Sequence, residues 1–137
     1  MSLVLDTGPI VAALNKADQD HERCAALIDS AVDLMIPSPV LVEVNYWLTK
    51  LAWPDVWSSF VADILRGAYR VIHPTETDIE RAAELESEYH DLDLGFVDAS
   101  VIAICERLGE TQVATLDRRH YSVVRPRHCS HLTLLPD

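Results

Sequence analysis

The sequence predicts an α/β fold, a three-layer sandwich in which helices flank a short, largely parallel central sheet. Two observations carry this. Short apolar runs of strand length alternate with segments of helical period along the whole chain. The first of them, Leu3-Val4-Leu5-Asp6, is a continuous apolar run ending in an acid, the form of a buried parallel strand. The chain has 137 residues and no repeat, low-complexity stretch or linker, so residues 1–137 are expected to form one domain.

Each element has its own local reason. Thr7-Gly8-Pro9 opens a helix to about residue 15, with Pro9 in the first turn, where a missing N–H costs little. Asp18 or Asp20 is placed to cap a second helix, whose apolar positions are Cys24, Ala25, Leu27 and Ile28. Leu34-Met35-Ile36 reads as a strand closed by Pro37 and Pro39. A helix follows over 40–51. Pro54 starts another, with Trp57, Phe60, Val61 and Ile64 on one stripe. Residues 69–72 have the β-branched and aromatic content of a strand, ended by His73-Pro74. Thr75 and Asp78 are spaced as a capping box for a helix to about His90. Gly95 precedes a helix over 96–108, which Gly109 stops. Gln112 to Leu116 and His131 to Leu135 supply the last strands.

Composition excludes several classes. Apolar residues make up 49% and charged residues 24%, a globular balance rather than that of a disordered chain. No apolar run approaches the roughly 18 residues of a membrane span, and the start lacks the basic region of a signal peptide. Three cysteines without a CxxC spacing point to a reducing cytoplasm rather than a disulfide framework. The net charge of −11 argues against a protein that coats nucleic acid through bulk positive charge. The charge is lopsided, however. Residues 76–93 hold eight acids against one base, Arg81, whereas residues 118–131 hold Arg118, Arg119, Arg125, Arg127 and three histidines without an acid.

Four acids stand where acids are costly. On the 40–51 helix, Glu43 falls among Val40, Val44, Trp47 and Leu51 at i+3 and i+4 spacing. On the 96–108 helix, Asp98 shares the face of Val101, Ile102, Cys105 and Leu108. Buried carboxylates must be paired, protonated or bound to a cation. Glu76, Glu80, Glu84 and Glu88 instead occupy an ordinary solvated face, opposite Ile79, Ala82 and Tyr89. Asp6 and Asp117 close strand-like runs, and the carboxyl ends of parallel strands form the usual ligand edge. Four converging carboxylates call for a divalent cation, and all-oxygen ligation favours Mg²⁺ or Mn²⁺ over Zn²⁺. Each acid also has a plain alternative: Asp6 or Asp98 as a helix cap, Glu43 paired with an Arg, Asp117 in a turn.

LVLDTGPIVAAL, SPVLVEVNYWL, LDLGFVDASVIAICERLG and VATLDRRHY together resemble the PIN domain, and more closely the VapC-type toxins of bacterial toxin–antitoxin pairs. The resemblance implies a metal-dependent endoribonuclease with Asp6, Glu43, Asp98 and Asp117 as its catalytic and metal-holding quartet. It also implies a homodimer and a small VapB-type antitoxin that blocks the site. Gly8 stands where many relatives carry Ser. Asp6 and Asp98 would hold Mg²⁺ or Mn²⁺ directly, with Glu43 and Asp117 as further or water-mediated ligands. Thr7, Asp93, Asn45, Ser100 and Thr115 are candidates to orient carboxylates or waters around them. Arg118 and Arg119 are candidates to hold RNA phosphates, with Arg125 and Arg127 extending the path. Among Trp47, Trp53 and Trp57, Trp47 or Trp57 would fill the core, and a surplus aromatic could line a groove for an antitoxin helix.

Rival readings remain open at this level. Asp6-Thr7-Gly8 matches the aspartic-protease tripeptide, although that enzyme is built from β-strands. A phospho-receiver module would need a late lysine, and Lys16 and Lys50 are both early. A PIN-like interaction domain with a silent site would keep the four acids without turnover. His128 and His131 with Cys129 offer a weak zinc spacing.

Overall fold

The computed structural model describes residues 1–137, and in it five parallel strands form one sheet in the order β3-β2-β1-β4-β5. The strands are β1 (Ser2–Leu5), β2 (Asp33–Pro37), β3 (Arg70–Ile72), β4 (Gln112–Ala114) and β5 (Thr133–Leu135). Between them run α1 (Thr7–Leu14), α2 (His21–Ser30), α3 (Ser38–Lys50), α4 (Pro54–Leu65), α5 (Glu76–Glu88), α6 (Phe96–Leu108) and α7 (Arg118–Val123). This is the helix-flanked parallel sheet that the alternation of runs predicts.

The strand order positions the site. The chain builds β1, β2 and β3 outward in one direction, then crosses back through α5 and α6 to lay β4 on the other side of β1. Val4 pairs with Met35 of β2 and with Val113 of β4. The direction of build reverses between β1 and β4, and open parallel sheets bind ligands off the carboxyl ends of strands at such a reversal. Asp6 leaves β1 there, its N–H bonded to the Ala114 carbonyl at 2.9 Å. Thr115, Leu116 and Asp117 leave β4 beside it.

The core supports that edge from below. Leu3, Val4 and Leu5 are fully buried, as are Met35 and Ile36 of β2 and Val40 and Val44 of α3, with Leu48 almost so. Helix α6 is buried all round from Ala99 to Cys105, because α3, α5 and β2 all pack on it. Two ionic contacts tie α6 to α5. Arg81 grips Glu106 with both ends of its guanidinium, at 2.8 and 3.0 Å, and Arg107 meets Asp78 at 2.8 Å. Asp78 also closes the capping box with Thr75.

Some details depart from the sequence reading. Residues 118–123 form α7, a six-residue helix too short to show a period. On α3 the buried stripe is Val40, Val44 and Leu48, leaving Trp47 and Leu51 exposed at 49% and 38%. Trp57 instead packs on the core, tilted against Phe60 with ring centroids 6.1 Å apart. On α5, Ile79 is exposed while Asp78, Ala82 and Leu85 are buried. No helix is long and apolar enough to cross a membrane.

Candidate active site

A cavity of about 480 Å³ opens at the β1/β4 reversal, and Asp6, Glu43, Asp98 and Asp117 all line it. They come from four separated places: the end of β1, the second turn of α3, the first turn of α6, and the turn after β4. No lysine or arginine lines the cavity, and none of the four acids forms a salt bridge to one. An arginine partner for Glu43 is therefore not the reason for its place.

The acids are held by neutral donors and one histidine. Asp6 stands at the N-cap position of α1, yet its side chain makes no capping hydrogen bond. Its Oδ2 accepts from the Thr115 hydroxyl at 2.9 Å, and that hydroxyl oxygen accepts from the Asp117 N–H at 3.0 Å. One threonine thus links the ends of β1 and β4. Glu43 Oε1 accepts from the Thr7 hydroxyl at 2.6 Å, which joins α3 to the first turn of α1. Asp98 caps nothing either. Its Oδ2 lies 2.7 Å from His120 Nδ1, and its Oδ1 accepts from the Tyr121 hydroxyl at 3.3 Å. The same His120 nitrogen is 3.1 Å from Asp117 Oδ2, so its proton serves two carboxylates.

The electrostatics are those of an unrelieved negative site. The Asp6 carboxyl, 5% exposed, is pushed up from its ordinary 3.8 to about 7. Burial is the largest cause, followed by repulsion from Asp98. The Thr7 amide and Thr115 hydroxyl pull less strongly the other way, and Glu43 adds a smaller push. Tyr121 is wholly buried beside these acids, and burial with the Asp6 and Asp98 charges holds its phenol well above the usual range. It is a donor there. Asp98, Asp117 and His120 present ligand atoms within 4.8 Å of one another, with Asp6 and Glu43 on the same cavity wall. A hard divalent cation fits such an oxygen-rich donor set, because it supplies the positive charge that the lining lacks.

The PIN domain profile matches residues 3–126, nearly the whole chain. The chain belongs to the PIN domain family. It is 29% identical to the Mycobacterium tuberculosis protein Ribonuclease VapC26 over 135 residues, covering 98% of this chain and all of that one. The crystal structure of M. tuberculosis VapC20, a sarcin-ricin loop cleaving toxin, superposes with a TM-score of 0.80 at 25% identity, over 91% of this chain and all of that one. VapBC2 from Rickettsia felis, bound to a promoter DNA fragment, has the same fold, with a TM-score of 0.68 at 22% identity and 98% of both chains covered.

Around the four acids, the remaining candidate residues divide. Thr7 and Thr115 touch Glu43 and Asp6 as described. Asp93 is exposed, in a left-handed backbone conformation (φ 52°), and shares a smaller recess with Glu43 and Asp98. Asn45 turns away from the acids into a groove beside Trp53 and Trp57, and Ser100 is fully buried with its hydroxyl unpartnered. Both lie two residues after an acid on a helix, which places them on the opposite side of it. Arg118 Nη2 donates to the Leu134 and Pro136 carbonyls, so it pins the C-terminal segment. Arg119 is exposed and makes no salt bridge. Arg127 pairs with Glu84 at 3.0 Å, away from the acid cavity. His128 bonds the Glu110 carbonyl, and no metal-ligand cluster forms around it and His131. His120 is the residue that sequence reasoning missed. Its signal was weak: a histidine three residues after Asp117, hidden in a basic run.

Gly8 has a packing reason. A Cβ there would stand 3.2 Å from Leu116 Cβ, so the first turn of α1 sits close against the end of β4.

Proposed function

We propose that this chain is a metal-dependent endoribonuclease and the toxin of a toxin–antitoxin pair, acting in the cytoplasm as a homodimer. A single observation carries the reading: four acids from four elements line one cavity, with Asp18 at its wall as well, and no lysine or arginine lines it to neutralise them. The likeness to ribonuclease VapC26 and to the VapC20 toxin supports RNA as the substrate. The toxin–antitoxin complexes among the structures of the same fold agree with a VapB-type antitoxin as partner.

Asp6 and Asp98 would hold Mg²⁺ or Mn²⁺ directly, with Glu43 and Asp117 completing the oxygen donors. When bound, such a cation neutralises charge on the scissile phosphate and makes an attacking water more acidic. Thr115 fixes the rotamer of Asp6, Thr7 that of Glu43, and His120 draws Asp98 and Asp117 together. Tyr121 orients the second oxygen of Asp98 from the buried side and stays protonated. Arg119 is the free cation adjoining Asp117 and the better placed of the two arginines to meet a phosphate. An aspartic protease is disfavoured, since Asp6-Thr7-Gly8 leads from a parallel strand into a helix.

The test is purified protein on a panel of structured RNAs, with and without EDTA, beside Asp6→Asn and Asp98→Asn. Cleavage in Mg²⁺ or Mn²⁺ that disappears in chelator and in both variants is the expected result. Cleavage that persists in chelator, or in both variants, overturns the assignment.

A further inference from the structure

The acid cavity has one aromatic side chain, Trp47, and it is half exposed where the 40–51 sequence pattern would bury it. Its place on α3 is informative. Glu43, Trp47 and Lys50 follow one another at i, i+4 and i+7 and therefore share one helix face. Along the axis they are separated by about 6 Å and then about 4.5 Å. The strip thus presents an acid, a flat indole and a cation in order. Lys50 has no acidic partner, and its Nζ rests 5.5 Å from the centre of the Tyr46 ring. Tyr46 in turn meets Trp47 edge-to-face, with centroids 5.6 Å apart and an interplanar angle of 82°. That contact props the indole from one side and leaves the rest of it to the solvent and the cavity.

We propose that Trp47 is a stacking platform for a nucleobase of single-stranded RNA, next to the phosphate addressed by the acid cluster, with Lys50 meeting a neighbouring phosphate. This rests on the RNA-cleaving reading of the cavity and adds to it the source of substrate affinity. A chain of net charge −11 gains nothing from bulk attraction to a polyanion. Stacking on an indole does not depend on that charge, because every base has an aromatic face. The order acid, aromatic, cation also matches the order phosphate with its metal, base, next phosphate along an extended strand. A protein partner covering the indole is the competing outcome, which sedimentation of the variants separates from RNA binding.

The experiment uses a fluorescein-labelled ten-nucleotide RNA of mixed sequence and the same strand made abasic. Anisotropy is read in Ca²⁺, with strand integrity checked on a gel. Trp47→Ala and the size-conserving Trp47→Leu should each weaken binding of the base-bearing strand by about 5- to 100-fold, and Trp47→Phe by less than about 3-fold. On the abasic strand the variants should match the wild type. Lys50→Ala should lower the slope of log affinity against log salt by about 0.7, one phosphate contact. Equal loss on both strands, or no loss in Trp47→Ala and Trp47→Leu, overturns the proposal. So does a change in sedimentation of these variants with RNA affinity intact, which would make Trp47 a protein contact. A wild type that neither binds nor, in Mg²⁺ or Mn²⁺, cleaves any RNA removes the ribonuclease reading as well, a different failure from that of Trp47 alone.

Discussion

Replacing Asp6 by Asn should abolish activity and yet make the metal-free protein more stable at alkaline pH. The Asp6 carboxyl is raised from 3.8 to about 7, with burial and then Asp98 as the main causes. A carboxyl whose value rises on folding binds more protons in the native state than in the unfolded one. Between about pH 4 and pH 7 the native state therefore loses stability as pH increases, and above that window the whole penalty is present. Three pH units at about 1.4 kcal/mol each set a ceiling near 4 kcal/mol. Water entering the open cavity screens part of this, so about 2 kcal/mol is the expected size. Asn keeps the shape and can still accept from the Thr115 hydroxyl, so the hydrogen bond is not what changes. The assay is urea unfolding of wild type and Asp6→Asn at one protein concentration in EDTA, from pH 5 to pH 8. The quantity to follow is the stability difference between the two proteins, which cancels titrating groups remote from Asp6 and keeps Asp6 with its coupling to Asp98 and Glu43. It should grow in favour of Asn as pH rises. A flat difference, or a variant less stable than wild type at pH 8, would refute the reasoning.

The remaining predictions test separate parts of the molecule. Mn²⁺ at a hundred times its dissociation constant should stabilise the wild type by about 2.7 kcal/mol in thermal melts, and Asp98→Asn by much less. His120→Ala should weaken Mn²⁺ binding by about 10- to 100-fold, read by calorimetric titration, because Asp98 and Asp117 lose their shared donor. Arg81→Ala should cost about 2 kcal/mol in urea unfolding, since the half-buried Glu106 loses its two-pronged partner and keeps only the Arg127 N–H. The exposed Arg66–Asp63 pair is the control, and Arg66→Ala should cost less than about 1 kcal/mol. Ser100→Ala should leave cleavage unchanged and raise stability by about 1 kcal/mol, because it removes a buried hydroxyl without a partner.

Most of the fold was legible because the strands are short, mostly apolar runs with a stop close by, such as Pro37 as the last residue of β2 or Pro74 two residues beyond Ile72. The four acids stood out for a different reason: two close strands and two interrupt apolar stripes, although Asp117, at 47% exposure, is in a place that ordinary solvation also explains. What failed were residues chosen for nearness in sequence. Two residues along an extended segment return a side chain to the same side, and Thr115 does share the site with Asp117. Two residues along a helix turn it to the far side, and Asn45 and Ser100 lie there relative to Glu43 and Asp98. His120 was hidden because α7 has only six residues and no apolar period. Trp47 was misplaced for a subtler reason. Periodicity fixes its angle on α3, but only the packed fold shows that this flank of the helix borders a cavity rather than the core.

The cluster is also where the chain is least consistent with its own stability. Elsewhere, buried charge is matched within the fold: Glu106 by Arg81, and Asp78 by Arg107 and the Thr75 capping box. At the β1/β4 reversal the same kind of match is absent, and the donors supplied are hydroxyls and one histidine. Hydroxyls orient a carboxylate without cancelling its charge, so Thr7, Thr115 and Tyr121 hold the geometry while leaving the field strongly negative. An arginine in any of those places would stabilise the apo protein and occupy the position a cation needs. A site meant only to be stable would have used one. The choice of neutral donors around four carboxylates is therefore the feature that separates a functional cavity from a buried ion-pair network, and the Asp6→Asn measurement reads that difference directly.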